Sequence, residues 1–161
     1  MSRKFYETEE DRNKELKFAK DLEGYWEGTK LVKLQFKYFL DFAITRQKKV
    51  STWEETEITG WCEVKHREIK SKGKYFPPKY IILSFDKWKN ALDYACYTKK
   101  PFVFAVRIDD GKSGDYMFVH NYGDDTDYEV QIGGRVKEKR DDGDVEPVVK
   151  LPFSKFKRLD K

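Results

Sequence analysis

Cysteine is scarce. The chain of 161 residues has two, Cys62 and Cys96, and their separation is not that of a metal site. With Cys62 on an expected strand and Cys96 on an expected helix, both read as small buried hydrophobes, which suits a reducing compartment. Long apolar runs are missing too, so no segment spans a bilayer. The opening MSRKFYETEEDR is too polar for a secretory leader. A soluble, intracellular (cytoplasmic) protein is the expectation. There is no internal repeat and no low-complexity segment. Of the two histidines, His120 carries no signal and His66 reads as a core or surface residue.

Charge and aromatic rings are what the chain has in quantity. Charged residues make up 39% and aromatics 16%, so rings supply core volume that the few Leu, Ile and Val do not, and disorder is excluded. The net charge of +4 comes from 33 basic and 29 acidic residues, a balance that permits nucleic-acid binding without demanding it. The length suits one domain around one core.

Hydrophobic periodicity then lays out the elements. Thr8 to Gly24 reads as a helix, capped by Thr8 with Asp11 three residues on, its first turn acidic and its apolar stripe Leu16, Ala19, Leu22 and Tyr25. Lys30 to Gln35 and Tyr38 to Thr45 read as strands, Arg46 to Glu57 as a loop or an extended hairpin arm, and Ile58 to Ile69 as the central strand. Tyr80 to Ser84 is a short apolar strand. Phe85 to Lys99 is a helix buried through Trp88, Leu92, Ala95 and Cys96 and stopped by Pro101, and Phe102 to Ile108 is a buried strand. Tyr116 to His120 adds a strand, Tyr128 to Leu151 a hairpin around the turn DDGD, and Phe153 to Leu159 a turn folding back on the body. The order predicts an α/β domain over 1–161: a mixed sheet flanked by helices (core about 8–122), with a C-terminal β extension over about 127–161.

Within the central strand, GWCEVKHREI alternates. Trp61, Glu63, Lys65 and Arg67 fall on one face, with Cys62, Val64 and His66 on the other. A carboxylate and an ammonium side by side on a half-buried strand are costly without compensation. A divalent cation with a phosphate supplies it. Asp41, inside FLDFAI, offers a second carboxylate. Four (D/E)xK tripeptides occur, at Glu15, Glu63, Glu68 and Asp110, and only the one at Glu63 has a strand, apolar neighbours and an upstream Asp around it. The plain alternative is a surface sheet with a Glu–Lys pair.

With these elements in this order, the sequence resembles the PD-(D/E)xK nuclease superfamily, the restriction-endonuclease-like and Holliday-junction-resolvase-like nucleases, over roughly 11–109. The carriers are a helix with Glu15, a strand with Asp41, a strand with Glu63 and Lys65, then YIILS, a helix and FVFAVRI. Leu40 stands where the pattern often has proline, and the Asp41–Glu63 spacing is long. The resemblance implies an αβββαβ core and Mg²⁺- or Mn²⁺-dependent hydrolysis of phosphodiesters in DNA, less so RNA. It implies Asp41, Glu63 and the carbonyl of Val64 as ligands of a hard cation, Lys65 as the group that orients water and stabilises charge, and Glu15 as a further site residue. Lys87 matches a position near the site and is grouped with Arg67, Lys70, Lys72 and Lys74 as nucleic-acid contacts. The loop carrying those lysines interleaves Tyr75 and Phe76, as single-strand binders do. A homodimer or a partner protein is compatible. The competing reading is a nuclease-fold or unrelated α/β module that binds nucleic acid or protein without catalysis.

Overall fold

The computed structural model describes residues 8–35, 40–50, 53–68, 78–109, 114–124, 128–134 and 145–160. In chain order these form α1 (Glu9–Tyr25), β1 (Lys30–Lys33), β2 (Phe42–Val50), β3 (Trp53–Glu68), β4 (Tyr80–Ser84), α2 (Phe85–Thr98), β5 (Phe102–Asp109), β6 (Asp115–His120), β7 (Val130–Gly134), β8 (Val145–Pro152), a 3₁₀ turn (Phe153–Lys155) and β9 (Lys157–Leu159). The fold is α/β. A mixed central sheet runs β1-β2-β3-β5-β6-β9, and a second sheet runs β4-β8-β7. Among the described residues only β3 and β5 pair in parallel, joined by the crossover that carries β4 and α2.

Local chemistry sets the entry to α1. The Thr8 hydroxyl accepts from the Asp11 N–H at 3.1 Å, while the Asp11 carboxylate accepts from the Thr8 N–H at 3.2 Å, a capping box with Asp in the place of Glu. Three acidic residues in the first turn meet the positive end of the helix dipole. The chain then turns through Gly28, whose φ of 75° is costly for any residue with a Cβ.

Alternation along β3 and β5 divides the core between the two sheet faces. Cys62, Val64, Val103 and Ala105 join Phe42 and Ile44 under Phe18, Ala19 and Leu22 of α1. Trp61, Phe102, Phe104, Val106 and Ile108 lie on the opposite face with Trp88 and Ala91 of α2 and with Ile81, Leu83, Val149 and Leu151 of the second sheet. Each fully buried aromatic or aliphatic side chain contributes about 1.5–3 kcal/mol of burial free energy. Arg107 of β5 fastens α1 to β6, with 2.7 and 2.8 Å bonds to Asp115 and a 2.8 Å bond to Asp21.

Several expectations shift. β2 begins at Phe42 rather than Tyr38, and Asp41 sits in the bend before it. The segment 46–57 is the hairpin-arm alternative: β2 and β3 stay paired from Arg46↔Glu57 out to Val50↔Trp53. Opposite charges face each other at Arg46↔Glu57 and Lys48↔Glu55, a favourable cross-strand arrangement. β4 forms, but in the second sheet, where its partner is β8. Cys96 is exposed rather than buried, because the buried stripe of α2 runs through Trp88, Ala91 and Ala95. In α1 the stripe includes Phe18, and Leu16 faces solvent. The C-terminal hairpin is present as β7 with β8, its turn lying outside the described residues, and the 3₁₀ turn and β9 return the chain to the central sheet.

Candidate active site

The antiparallel ladder between β2 and β3 ends at Phe42↔Cys62. Beyond it β3 continues alone on that side, because the chain bends away at Asp41. The next backbone donor, the Val64 N–H, is met by the Asp41 side chain, whose Oδ2 accepts it at 3.0 Å. A strand residue's N–H and C=O project toward the same side, so the Val64 carbonyl also points into this opening. Glu63 lies at the mouth of the fork and is only 4% exposed.

Two lysines that share no tripeptide with these acids complete the arrangement. Lys87, in the first turn of α2, donates to Glu63 Oε1 and lies 3.6 Å from Asp41 Oδ1. Lys33, at the end of β1, donates to Glu15 of α1 and lies 3.9 Å from Asp41 Oδ1. The charges alternate in a chain: Glu15, Lys33, Asp41, Lys87, Glu63. Even so, Glu63 Oε2 is buried away from both lysines, with the Asp41 carboxylate as its neighbour. Burial, then the Asp41 carboxylate, pushes Glu63 up to about 8, with Lys87 pulling the other way. Burial alone would depress Lys87, but Glu63 and Asp41 outweigh it and hold its ammonium above the ordinary lysine range.

Lys65 points elsewhere. Its ammonium donates to the carbonyl of Ile82 at 3.3 Å, on the free edge of β4. Burial, then the charges of Arg67 and Lys87, push it down to about 7 against the pull of Glu63 and Glu146. Arg67, two residues on, is half-buried and lowered by burial. Lys65 and Val64 also line a cleft of about 410 Å³ with Glu15, Lys14, Asp11 and His66, between the start of α1 and the end of β3.

The residues present fit a hard divalent cation. Asp41, Glu63 and the Val64 carbonyl offer oxygen donors around a buried carboxylate oxygen, and Mg²⁺ is commonly held by one or two carboxylates with water and substrate oxygens filling the remaining positions. Among the described residues no group of three or more His, Cys, Asp or Glu side chains is placed to hold a metal ion, so the two carboxylates would need the backbone and water beside them.

Residues 1–159 match the model of a family described as "phage putative PDDEXK endonuclease". The chain belongs to this endonuclease family. No curated protein and no solved structure matches it.

For a member of this endonuclease family, the structure brings Asp41, Glu63 and the Val64 backbone together at the fork, with Glu15 one lysine away. Lys87 lies inside the site, against the carboxylates, rather than along an outer nucleic-acid surface. Lys65 is beside the fork but bonded away from it. Lys70, Lys72 and Lys74 lie outside the described residues. Lys33 is the site residue that sequence reasoning missed. The signal was there: Leu31 and Lys33 share the inward side of β1, and the Lys33 ammonium rests 5.0 Å from the Phe42 ring centre. A lysine at an inward strand position is as conspicuous as Glu63.

Proposed function

We propose that the chain is a metal-dependent nuclease that hydrolyses phosphodiester bonds of DNA, built on a restriction-endonuclease-like core formed by α1, β1, β2, β3, α2 and β5. The observation that carries this reading is the buried Asp41–Glu63 pair, two carboxyl groups set directly against each other. Two carboxylates held together out of water are unfavourable in a purely structural role and appropriate for binding a cation.

Asp41, Glu63 and the Val64 carbonyl would hold Mg²⁺ or Mn²⁺. When bound, the ion supplies an acidified water and offsets charge on the phosphate. Lys87 places a permanent positive charge at the same point, where the pentacovalent phosphorus gains negative charge. Lys65 would orient the attacking water once its ammonium leaves the Ile82 carbonyl for the fork. Glu15 and Lys33 fix Asp41 in the orientation that keeps its Oδ2 on the Val64 amide.

One observation favours a second reading, a nuclease-fold module without catalysis. Lys87 itself bridges the Glu63 and Asp41 carboxyl groups, the position a cation would take. Incubating the full chain with plasmid and with single-stranded DNA, with and without Mg²⁺ or Mn²⁺, decides between them. Divalent-dependent cleavage that disappears in Glu63→Gln supports the nuclease. Wild type that binds DNA, takes up no Mn²⁺ by calorimetry and cuts nothing establishes the module instead.

A further inference from the structure

A second cleft, of about 350 Å³, opens at the far end of β4 from the fork. Lys79, Tyr80, Tyr128, Glu129, Lys150 and Lys155 line it. The Lys150 ammonium lies 4.2 Å over the Tyr80 ring. The Lys155 ammonium lies 4.9 Å over the Tyr128 ring and 3.2 Å from its hydroxyl. Tyr128 is itself fixed edge-on against Trp88 and Phe118, at 5.5 and 6.0 Å between ring centres. The acidic member, Glu129, lies 3.3 Å from Lys150 and is mostly in solvent. Three lysines against one glutamate leave a surplus of two positive charges. Lys150 and Lys155 are thus both steered by aromatic faces, and that leaves them able to bond an incoming anion.

We propose that this cleft is a second contact for the nucleic-acid strand, in which Lys79, Lys150 and Lys155 take a backbone phosphate and the exposed Tyr80 ring stacks on a base. An acidic peptide would satisfy the lysines but would leave the aromatic surface without a matching plane. A nucleotide matches both. The strand β4 links the cleft to the candidate site. Tyr80, Ile82 and Ser84 share one face of β4. The Ser84 hydroxyl bonds Glu146 at 3.2 Å, and Lys65, beside the fork, bonds the Ile82 carbonyl at 3.3 Å. The four steps from Tyr80 to Ser84 span about 13 Å, the axial rise of about four phosphates of one strand in a B-form duplex. A strand cut at the fork would therefore be gripped a few nucleotides away. The inference rests on the nuclease reading for its ligand class and location.

The test is fluorescence anisotropy of labelled single-stranded and duplex oligonucleotides with the full chain in EDTA, across a salt series. Wild type is compared with Lys79→Gln, Lys150→Gln and Lys155→Gln, singly and together, and with Tyr80→Leu and Tyr80→Phe. Melting curves accompany each, so that slopes are read from variants that keep the wild-type transition. The combined lysine variant should flatten the slope of log affinity against log salt by about 2 for the single strand. Tyr80→Leu should weaken single-strand binding by about tenfold, with Tyr80→Phe close to wild type. Unchanged affinity and slope in the lysine variants, alongside wild-type cleavage in Mg²⁺ or Mn²⁺, would overturn the cleft and leave the nuclease standing. Lysine-dependent oligonucleotide binding by a wild type that cuts under no divalent ion would support the cleft and overturn the nuclease. Lysine-dependent capture of poly-glutamate, with neither oligonucleotide bound, would overturn the nucleic-acid assignment.

Discussion

Replacing Glu63 by glutamine should stabilise the metal-free protein at alkaline pH while abolishing cleavage. In the fold the Glu63 carboxyl sits at about 8 against an ordinary 4.5, first because it is buried and second because Asp41 faces it. At about 1.4 kcal/mol for each tenfold change in proton affinity, that rise is worth about 5 kcal/mol. Because the folded-state value is the higher one, this stability is fully present below pH 4.5 and is lost as the pH climbs through about 8. Glutamine mimics the protonated acid at every pH, and its carbonyl can still accept from Lys87. The two proteins should therefore melt alike near pH 4 in EDTA and diverge above it. By pH 8 to 9 the variant should lead by up to about 5 kcal/mol, roughly 10 °C or more for a chain of this size. Lys65, held low at about 7, makes its own contribution between 7 and 10.5, with stability rising as pH rises; glutamine removes the upward pull of the Glu63 charge on it, which adds to the variant's lead in that range. Saturating Mn²⁺ should then raise the melting temperature of wild type and leave the variant unmoved. Calorimetric or circular-dichroism melts across the pH series give the answer. A variant that melts below wild type at pH 8 to 9 in EDTA would refute the reasoning, because Glu63 would then be a satisfied structural anion.

Apparent Mn²⁺ affinity, measured by titration calorimetry, should rise about tenfold per pH unit up to about pH 8, since one proton must leave Glu63 for the ion to bind; a flat profile would mean that Glu63 is not a ligand. Lys87→Ala strips the buried pair of its cation and should lower metal-free stability by about 3 kcal/mol while tightening Mn²⁺ binding, checked by melts and calorimetry on the same samples. Lys65→Ala should keep the fold and the metal but cut cleavage by about 10²-fold, and normal cleavage in that variant would remove the role given to Lys65. Val64→Asp places a carboxylate beneath Phe18 and Leu22 beside two existing acids and should cost at least about 3 kcal/mol, seen as loss of soluble protein or of a cooperative transition.

The parts that were legible in the sequence are those written in alternation. Period-2 patterning along 60–69 placed Cys62 and Val64 under α1 and left Glu63 and Lys65 on the opposite face, and the same parity put Asp41 with Glu63 once the strands paired. The capping residues of α1 were equally plain. What the sequence did not show is where backbone ladders stop. Asp41 lies in a bend, not in a strand, and works by supplying the acceptor that β2 no longer offers to Val64. No side-chain pattern encodes that. Nor could the chain order show that β4 leaves the central sheet for β8, since a five-residue apolar strand suits either. Lys87 and Lys65 could not be ranked either, because their separation depends on the crossover that docks α2 against β3.

The fork explains why charge can accumulate at this point in an otherwise apolar sheet. A strand that loses its neighbour leaves N–H and C=O groups pointing into space, and these must be satisfied or wetted. Asp41 satisfies one of them, and being anionic it must in turn be balanced by Lys33 and Lys87. Glu63 enters the same opening because period-2 alternation leaves it no other side. The result is an acid pair that three backbone elements hold in register: the end of β1 through Lys33, the break before β2 through Asp41, and the first turn of α2 through Lys87. Each of those elements is anchored in core clusters away from the fork, so its position does not depend on the charges that it carries. That separation of scaffold from charge is what allows a buried acid pair to persist at the fork.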